Sequence, residues 1–114
     1  MKNQEKGKLG EQIAYNFLVK HHYTILKQNY RVGRNEIDLI VQKEDLIIFV
    51  EVKLRQTNHY GFPEEQVNAK KEKSIRQAAE HFLNENPQFF NIRFDIVSIT
   101  LFPQTEIVHL QDVF

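Results

Sequence analysis

Hydrophobic positions change their period several times along this chain, and each change marks an element. From about Glu5 to His22, Leu9, Ile13 and Phe17 form one ridge that Ala14 and Leu18 widen, a spacing that predicts an amphipathic helix. Tyr23 to Tyr30 is rich in β-formers and predicts a strand. A turn over Arg31-Val32-Gly33-Arg34-Asn35 closes it, with Gly33 and Asn35 supplying permissive backbone. Glu36 to Val41 and Leu46 to Leu54 are dense in Ile, Leu and Val, as central strands covered on both faces should be. Lys43-Glu44-Asp45 is a short polar connection, so these two strands should form a hairpin. Arg55 to Phe62 reads as a loop, with Gly61 and Pro63 marking the approach to a second helix. Glu64 and Glu65 suit that helix's first turn, where carboxylates oppose the macrodipole. It runs to about Asn84, with Val67, Ile75, Ala78, Ala79, Phe82 and Leu83 on its buried stripe, and Pro87 follows. Asn91 to Leu101 predicts a further strand and Glu106 to Leu110 a short last one, turned at Pro103. The predicted order is α-β-β-β-α-β-β, and 114 residues without repeat or linker point to one α/β domain.

Charges inside the apolar strands are the next feature. Side chains two apart on a strand share a face, so Glu36 and Asp38 go together, as do Phe49, Glu51 and Lys53. A charged group is buried only when paired or when coordinating a metal. Two arrangements satisfy that requirement. One is a set of ordinary ion pairs at a sheet end, Lys53 with Glu51 or Asp38. The other is a hard-metal site, because Mg²⁺ prefers oxygen ligands and needs only one or two carboxylates plus a substrate phosphate. Asp38, Glu51 and the Val52 carbonyl could supply the oxygens, and Lys53 could orient or deprotonate an attacking water. A lone Glu-x-Lys on a strand favours the first arrangement. Glu-x-Asp on one strand facing Glu-x-Lys on its neighbour shifts the balance toward the second. Glu11 borders the buried face of the first helix, where it also answers the helix dipole. Lys71 lies four residues after Val67 and four before Ile75, on the apolar stripe, so it must snorkel outward or reach a buried anion or phosphate. Arg93 and Asp95 read mainly as structural, paired with the helix lysines or with each other.

Composition narrows the classes. Hydrophobic residues are 41% and charged residues 26%, the balance of an ordinary globular protein, and nine Phe with four Tyr suggest an aromatic core. Zero cysteines exclude disulfides and thiolate chemistry and fit a reducing cytoplasm. No apolar run approaches a membrane span, and the charged first residues lead into no apolar signal core, so no membrane partner is expected. The histidines do not assemble: His21-His22 end a helix, while His59, His81 and His109 stand apart with no zinc spacing. No glycine-rich phosphate loop is present, and neither serine, Ser74 or Ser98, has a nucleophile's context. Net charge is zero, whereas a committed nucleic-acid binder is often basic overall. The charge is uneven, however. Up to Arg34, seven Lys or Arg residues face only Glu5 and Glu11, and Lys70, Lys71, Lys73 and Arg76 share one predicted helix.

These segments together resemble a known family. Gly7-Lys8-Leu9-Gly10-Glu11-Gln12-Ile13-Ala14, Tyr23-Thr24-Ile25-Leu26, Asn29-Tyr30-Arg31, Glu36-Ile37-Asp38-Leu39-Ile40 and Phe49-Val50-Glu51-Val52-Lys53-Leu54-Arg55 resemble the YraN family of bacterial proteins. The likeness continues through Gly61-Phe62-Pro63, the Val67…Lys71…Ile75 helix and Arg93-Phe94-Asp95-Ile96-Val97. That family is similar to PD-(D/E)XK endonucleases and Holliday-junction resolvases. The resemblance implies a restriction-endonuclease-like three-layer core, a mixed β-sheet flanked by helices, with the acidic site at the sheet's edge. It matches Asp38, Glu51 and Lys53 to the nuclease triad, Glu11 to the acidic residue of the first helix, and Glu36 to a position of less defined role. Two departures stand out: Asn35 where many members have Gly, and Gln66 where a small apolar residue is common. Asn tolerates left-handed backbone better than most residues, so the turn should survive.

The leading expectation is therefore a Mg²⁺- or Mn²⁺-dependent deoxyribonuclease acting on DNA, with branched or damaged DNA as one candidate substrate. Lys71, Arg55, Arg31 and Lys8 would touch phosphates. Its rivals are a nucleic-acid-binding or assembly module that keeps the fold without turnover, and a protein-interaction domain, for which the zero net charge and the acidic, apolar tail ending in Val113-Phe114 speak. A homodimer would suit a branched-DNA enzyme, although no residue pattern demonstrates one.

Overall fold

The computed structural model describes residues 3–57 and 68–114, and in them the order is the predicted α-β-β-β-α-β-β. Helix α1 spans Asn3–Lys20 and helix α2 spans Ala69–Glu85. The strands are β1 (Thr24–Val32), β2 (Asn35–Lys43), β3 (Leu46–Arg55), β4 (Asn91–Thr100) and β5 (Glu106–Leu110). They lie side by side in that order as one five-stranded sheet. Successive pairs are antiparallel except β3–β4, which is parallel. A parallel pair needs a crossover, and α2 lies in the segment that supplies it.

The helices cover opposite faces. Ala14 and Leu18 of α1 pack with Leu39, Val41, Ile48, Val50, Val97 and Ile99. Ile75, Ala78, Ala79 and Phe82 of α2 pack with Ile37, Ile40, Ile47, Phe49 and Phe94. This double cover is why β2, β3 and β4 carry almost continuous apolar runs rather than clean alternation. Phe82 meets Phe49 edge-on at 6.0 Å and Phe49 stacks on Phe94 at 5.3 Å, so the aromatic core predicted from composition sits beneath α2.

Several boundaries differ from the sequence reading. Arg31, Val32 and Asn35 belong to strands, and the turn contracts to Gly33-Arg34, with Gly33 at φ +60°. Asn35 is strand backbone, outside the left-handed positions, so its expected role in the turn is wrong. Its side chain instead donates to Gln77 and accepts from Ser74, tying β2 to α2. Helix α2 is capped by Asn68, which accepts the Lys71 N–H at 2.9 Å, and Glu72 is the acid of its first turn. The expectations for Gly61-Phe62-Pro63, Glu64, Glu65, Gln66 and Val67 lie outside the described residues.

The C-terminal segment is not free. Val113 N–H bonds to the Phe94 carbonyl, and the Phe114 ring lies 5.4 Å from that of Phe94. The anchor is Asp95, whose carboxylate accepts two bonds from Arg93, one from the Asp112 N–H, and a contact with His109 at 2.7 Å. His109, read as isolated, is thus part of an ion-pair node. Burial would raise the Asp95 carboxyl, but the His109, Arg93 and Asp112 hydrogen bonds override it and hold the group below its ordinary 3.8. A depressed carboxyl contributes stability above its unfolded value and loses it as pH falls through the folded one. Removing one partner of such a buried set costs about 3–5 kcal/mol. Asp95→Ala is therefore expected to lower urea stability by that order at pH 7. The gap to wild type should close as pH falls below the ordinary carboxyl range.

Candidate active site

The site begins where β2 and β3 part. Their ladder runs from Lys43↔Leu46 to Leu39↔Val50 and goes no further, although both strands continue. Beyond that point β2 pairs only with β1, and β3 only with β4. Alternation also breaks here: Ile37 joins the cluster under α2, while Leu39 and Val41 join that under α1. Asp38 sits at the break. Its Oδ2 accepts the Val52 N–H at 2.8 Å, so a side chain takes the place that a strand carbonyl would otherwise fill.

Four elements bring charges to this fork. Glu51 and Lys53 share Phe49's side of β3, as strand parity predicts. Glu51 is buried, with a side chain 6% exposed, and its Oε1 lies 3.6 Å from Lys53 Nζ and 3.5 Å from Lys71 Nζ of α2. The other oxygen, Oε2, is buried with no hydrogen-bond partner among the described residues. On the opposite side α1 approaches closely at Gly10, where a Cβ would stand 3.1 Å from that of Leu54. This approach carries the next residue, Glu11, to Asp38. Carboxylate oxygens of Glu11, Glu36 and Asp38 all lie within 4.8 Å of one another. A cavity of about 360 Å³ joins the two sides, lined by Lys6, Glu11, Asp38, Glu51, Val52 and Lys53 among others.

The electrostatics show a site short of positive charge. Burial first, then the Asp38 charge, push the Glu51 carboxyl from its ordinary 4.5 to about 7, against the pull of Lys71 and Lys53. Asp38 is raised by burial, with the Val52 N–H and Lys71 opposing and Glu36 adding to the rise. Glu11 is raised by burial and then by Asp38 and Glu36, with a side-chain hydrogen bond from Asn29 opposing. Three neighbouring carboxyls are thus pushed upward by burial and by one another despite two lysines. The orphaned Oε2 and the all-oxygen donor set fit a hard divalent ion.

The sequence-derived residues are thus largely brought together. Asp38, Glu51, Lys53, Val52 and Glu11 line one cavity, and Lys71 reaches Glu51, the buried anion that its place on the apolar stripe required. Arg31 lies beside the site through its ion pair with Glu36 at 2.9 Å. Arg55 continues β3 past Lys53, and Lys8 is exposed on α1; neither lines the cavity. Asn29 was missed. It stands in left-handed backbone at φ 52° and turns its amide to Glu11, and within a segment that reads simply as strand nothing marks it out.

A mixed sheet between two helices, forked to present carboxylates beside a lysine, is a restriction-endonuclease-like core. The chain belongs to the family described as Uncharacterised protein family UPF0102, whose pattern matches residues 10–99. It is 50% identical over 96 residues to a UPF0102 protein of Chloroherpeton thalassium, covering 83% of this chain and 74% of that one. A UPF0102 protein of Dictyoglomus thermophilum is 46% identical over 102 residues, covering 89% and 86%. One from Cytophaga hutchinsonii is 43% identical over 113 residues, covering 99% and 98%. Among the described residues no helix is long and apolar enough to cross a membrane.

The raised Glu51 carboxyl makes a signed prediction. A folded value above the unfolded one means the native state holds the extra proton, so stability falls as pH rises from 4.5 towards about 7. Glu51→Gln should flatten that fall and stabilise the metal-free protein at pH 8 by about 1–3 kcal/mol, measured by denaturant melts in chelator. A variant less stable than wild type at pH 8 would show that the charge is already well compensated.

Proposed function

We propose that this fork binds Mg²⁺ or Mn²⁺ and hydrolyses phosphodiester bonds in DNA, with branched or damaged DNA as the preferred substrate. The observation that carries the reading is the buried Glu51 Oε2, without a hydrogen-bond partner among the described residues, beside Asp38 and the Lys53 ammonium. Asp38 and Glu51 would hold the ion, with the Val52 carbonyl as a further oxygen and Glu11 standing beside Asp38. The bound ion supplies charge neutralisation at the phosphate and makes a water more acidic. Lys53 orients the attacking water, and its ammonium charge offsets the negative charge that grows on the phosphoryl oxygens. Asp38 is fixed for its task by the Val52 N–H, which pins its carboxylate orientation at 2.8 Å. Lys71, Arg55, Arg31 and Lys8 grip neighbouring phosphates, an interaction that carries no sequence information by itself. A homodimer would set two such sites against the two strands of a junction.

The test uses four-way junction, linear duplex and single-stranded DNA with Mg²⁺, with Mn²⁺, or with chelator. Wild type is expected to cleave at least one substrate only with metal. Asp38→Ala should lose about 100-fold or more in rate while keeping a native circular-dichroism spectrum. Metal should also raise the melting temperature of wild type and not of Asp38→Ala. Salt-sensitive DNA binding with no cleavage of any substrate would instead make the protein a binding module that keeps the nuclease fold.

A further inference from the structure

Glu51 carries two ammonium partners on one oxygen, and they are held very differently. Lys53 stands two residues along the same strand, so the backbone of β3 fixes its distance. Lys71 comes from the first turn of α2, where Asn68 captures its backbone N–H and leaves the four-carbon side chain to span from helix to sheet. That side chain is 37% exposed, against 27% for Lys53 and 6% for Glu51. Both ammoniums stand off Oε1, Lys71 at 3.5 Å and Lys53 at 3.6 Å, beyond the about 2.7–2.9 Å of a tight charge-assisted bond, so exposure and tether rather than distance set them apart. Lys71 is therefore a loose, solvent-connected counter-ion on the most buried carboxylate of the cavity.

A divalent ion on Glu51 would repel both ammoniums, because charges of one sign a few ångströms apart repel strongly in a half-dry cavity, and Lys71 is the one whose more exposed side chain can move away. It is not dispensable without the ion, since a buried carboxylate left without a partner is costly. Its route outward leads to the N-terminal end of α2, which carries the helix's partial positive charge and the exposed Lys70 and Lys73. That surface suits a phosphate.

We infer that Lys71 is a positioning residue that trades places with the metal on Glu51: it neutralises the carboxylate when the ion is absent and swings to a DNA phosphate when the ion arrives. Metal loading and DNA grip are then linked, each strengthening the other by the same factor. The inference rests on the metal-dependent reading above.

The experiment compares wild type, Lys71→Met, Lys71→Arg and Lys73→Met. Mn²⁺ affinity is measured by calorimetry. Affinity for a four-way DNA junction is measured by fluorescence anisotropy with and without Mn²⁺, read before cleavage accumulates and checked for intact DNA on a gel. Lys71→Met should bind Mn²⁺ more tightly, yet gain about fivefold less DNA affinity from the metal than wild type does, the low end of usual coupling between sites. Lys71→Arg should restore the coupling, and Lys73→Met, which leaves Glu51's two ammonium contacts in place, should keep the wild-type Mn²⁺ affinity and the wild-type metal-induced gain even where it lowers DNA affinity overall. Mn²⁺ binding that is unchanged or weaker in Lys71→Met, or a metal-induced gain equal to wild type's, overturns the exchange while leaving the metal site standing. No Mn²⁺ binding by wild type, with Asp38→Ala indistinguishable from it, overturns both. A purely structural lysine would shift the melting temperature of Lys71→Met without changing the metal–DNA coupling.

Discussion

One hydrogen bond organises the functional end of this molecule: the Val52 N–H donated to Asp38 Oδ2. An antiparallel pair that kept its ladder would have set Asp38 opposite Glu51 and Ile37 opposite Val52 and left no room between the strands. Here the ladder stops at Leu39↔Val50, and the carboxylate answers the next buried amide itself. Because the donor is satisfied, the strands can separate without leaving an orphaned N–H. Because the acceptor is a side chain, its second oxygen remains available to the cavity. Opening the sheet and orienting the Asp38 carboxylate are thus one event.

The two helices act on the fork from opposite faces. Gly10 lets α1 lie close against Leu54, and so Glu11 reaches the acidic side of the cavity. Ser74 and Gln77 hold Asn35 at the start of β2, fixing the strand that carries Glu36 and Asp38 against α2. Lys71, from the same helix, then meets Glu51. The apolar clusters do more than supply stability, for they set the spacing at which these charges meet.

Much of this was legible because it depends on local period. The order of elements followed from runs of Ile, Leu and Val, and parity alone put Glu51 with Lys53 and Glu36 with Asp38. Lys71 announced itself by standing on an apolar stripe. What the sequence hid depends on contacts between distant segments. Asn35 reads as a turn residue because its composition suits one, yet its amide is used by α2, forty residues away in the fold's crossover. Asn29 lies in a strand-like segment, and only the position of Glu11 gives its left-handed backbone a purpose. The C-terminal Val113-Phe114 looked like a free apolar tail because neither Phe94 nor Asp95 declares locally that it will bind one.

Asp95 and Glu51 show why burial of a carboxylate does not by itself mark a site. They lie on neighbouring parallel strands, Asp95 opposite Val50 and Glu51 opposite Ile96, and both are almost fully buried. Asp95 is surrounded by donors from Arg93, His109 and Asp112, and its carboxyl is held down. Glu51 shares two looser ammonium contacts on one oxygen, has no partner for the other among the described residues, and is pushed up by burial and by Asp38. The first arrangement is complete, and adding a cation would cost it existing bonds. The second is incomplete in a way that an oxygen-seeking cation would remedy. Sequence pattern ranks the two residues alike, as charges inside apolar strands; the difference is one of satisfaction, with Asp95 closed off by its partners and Glu51 open to the cavity.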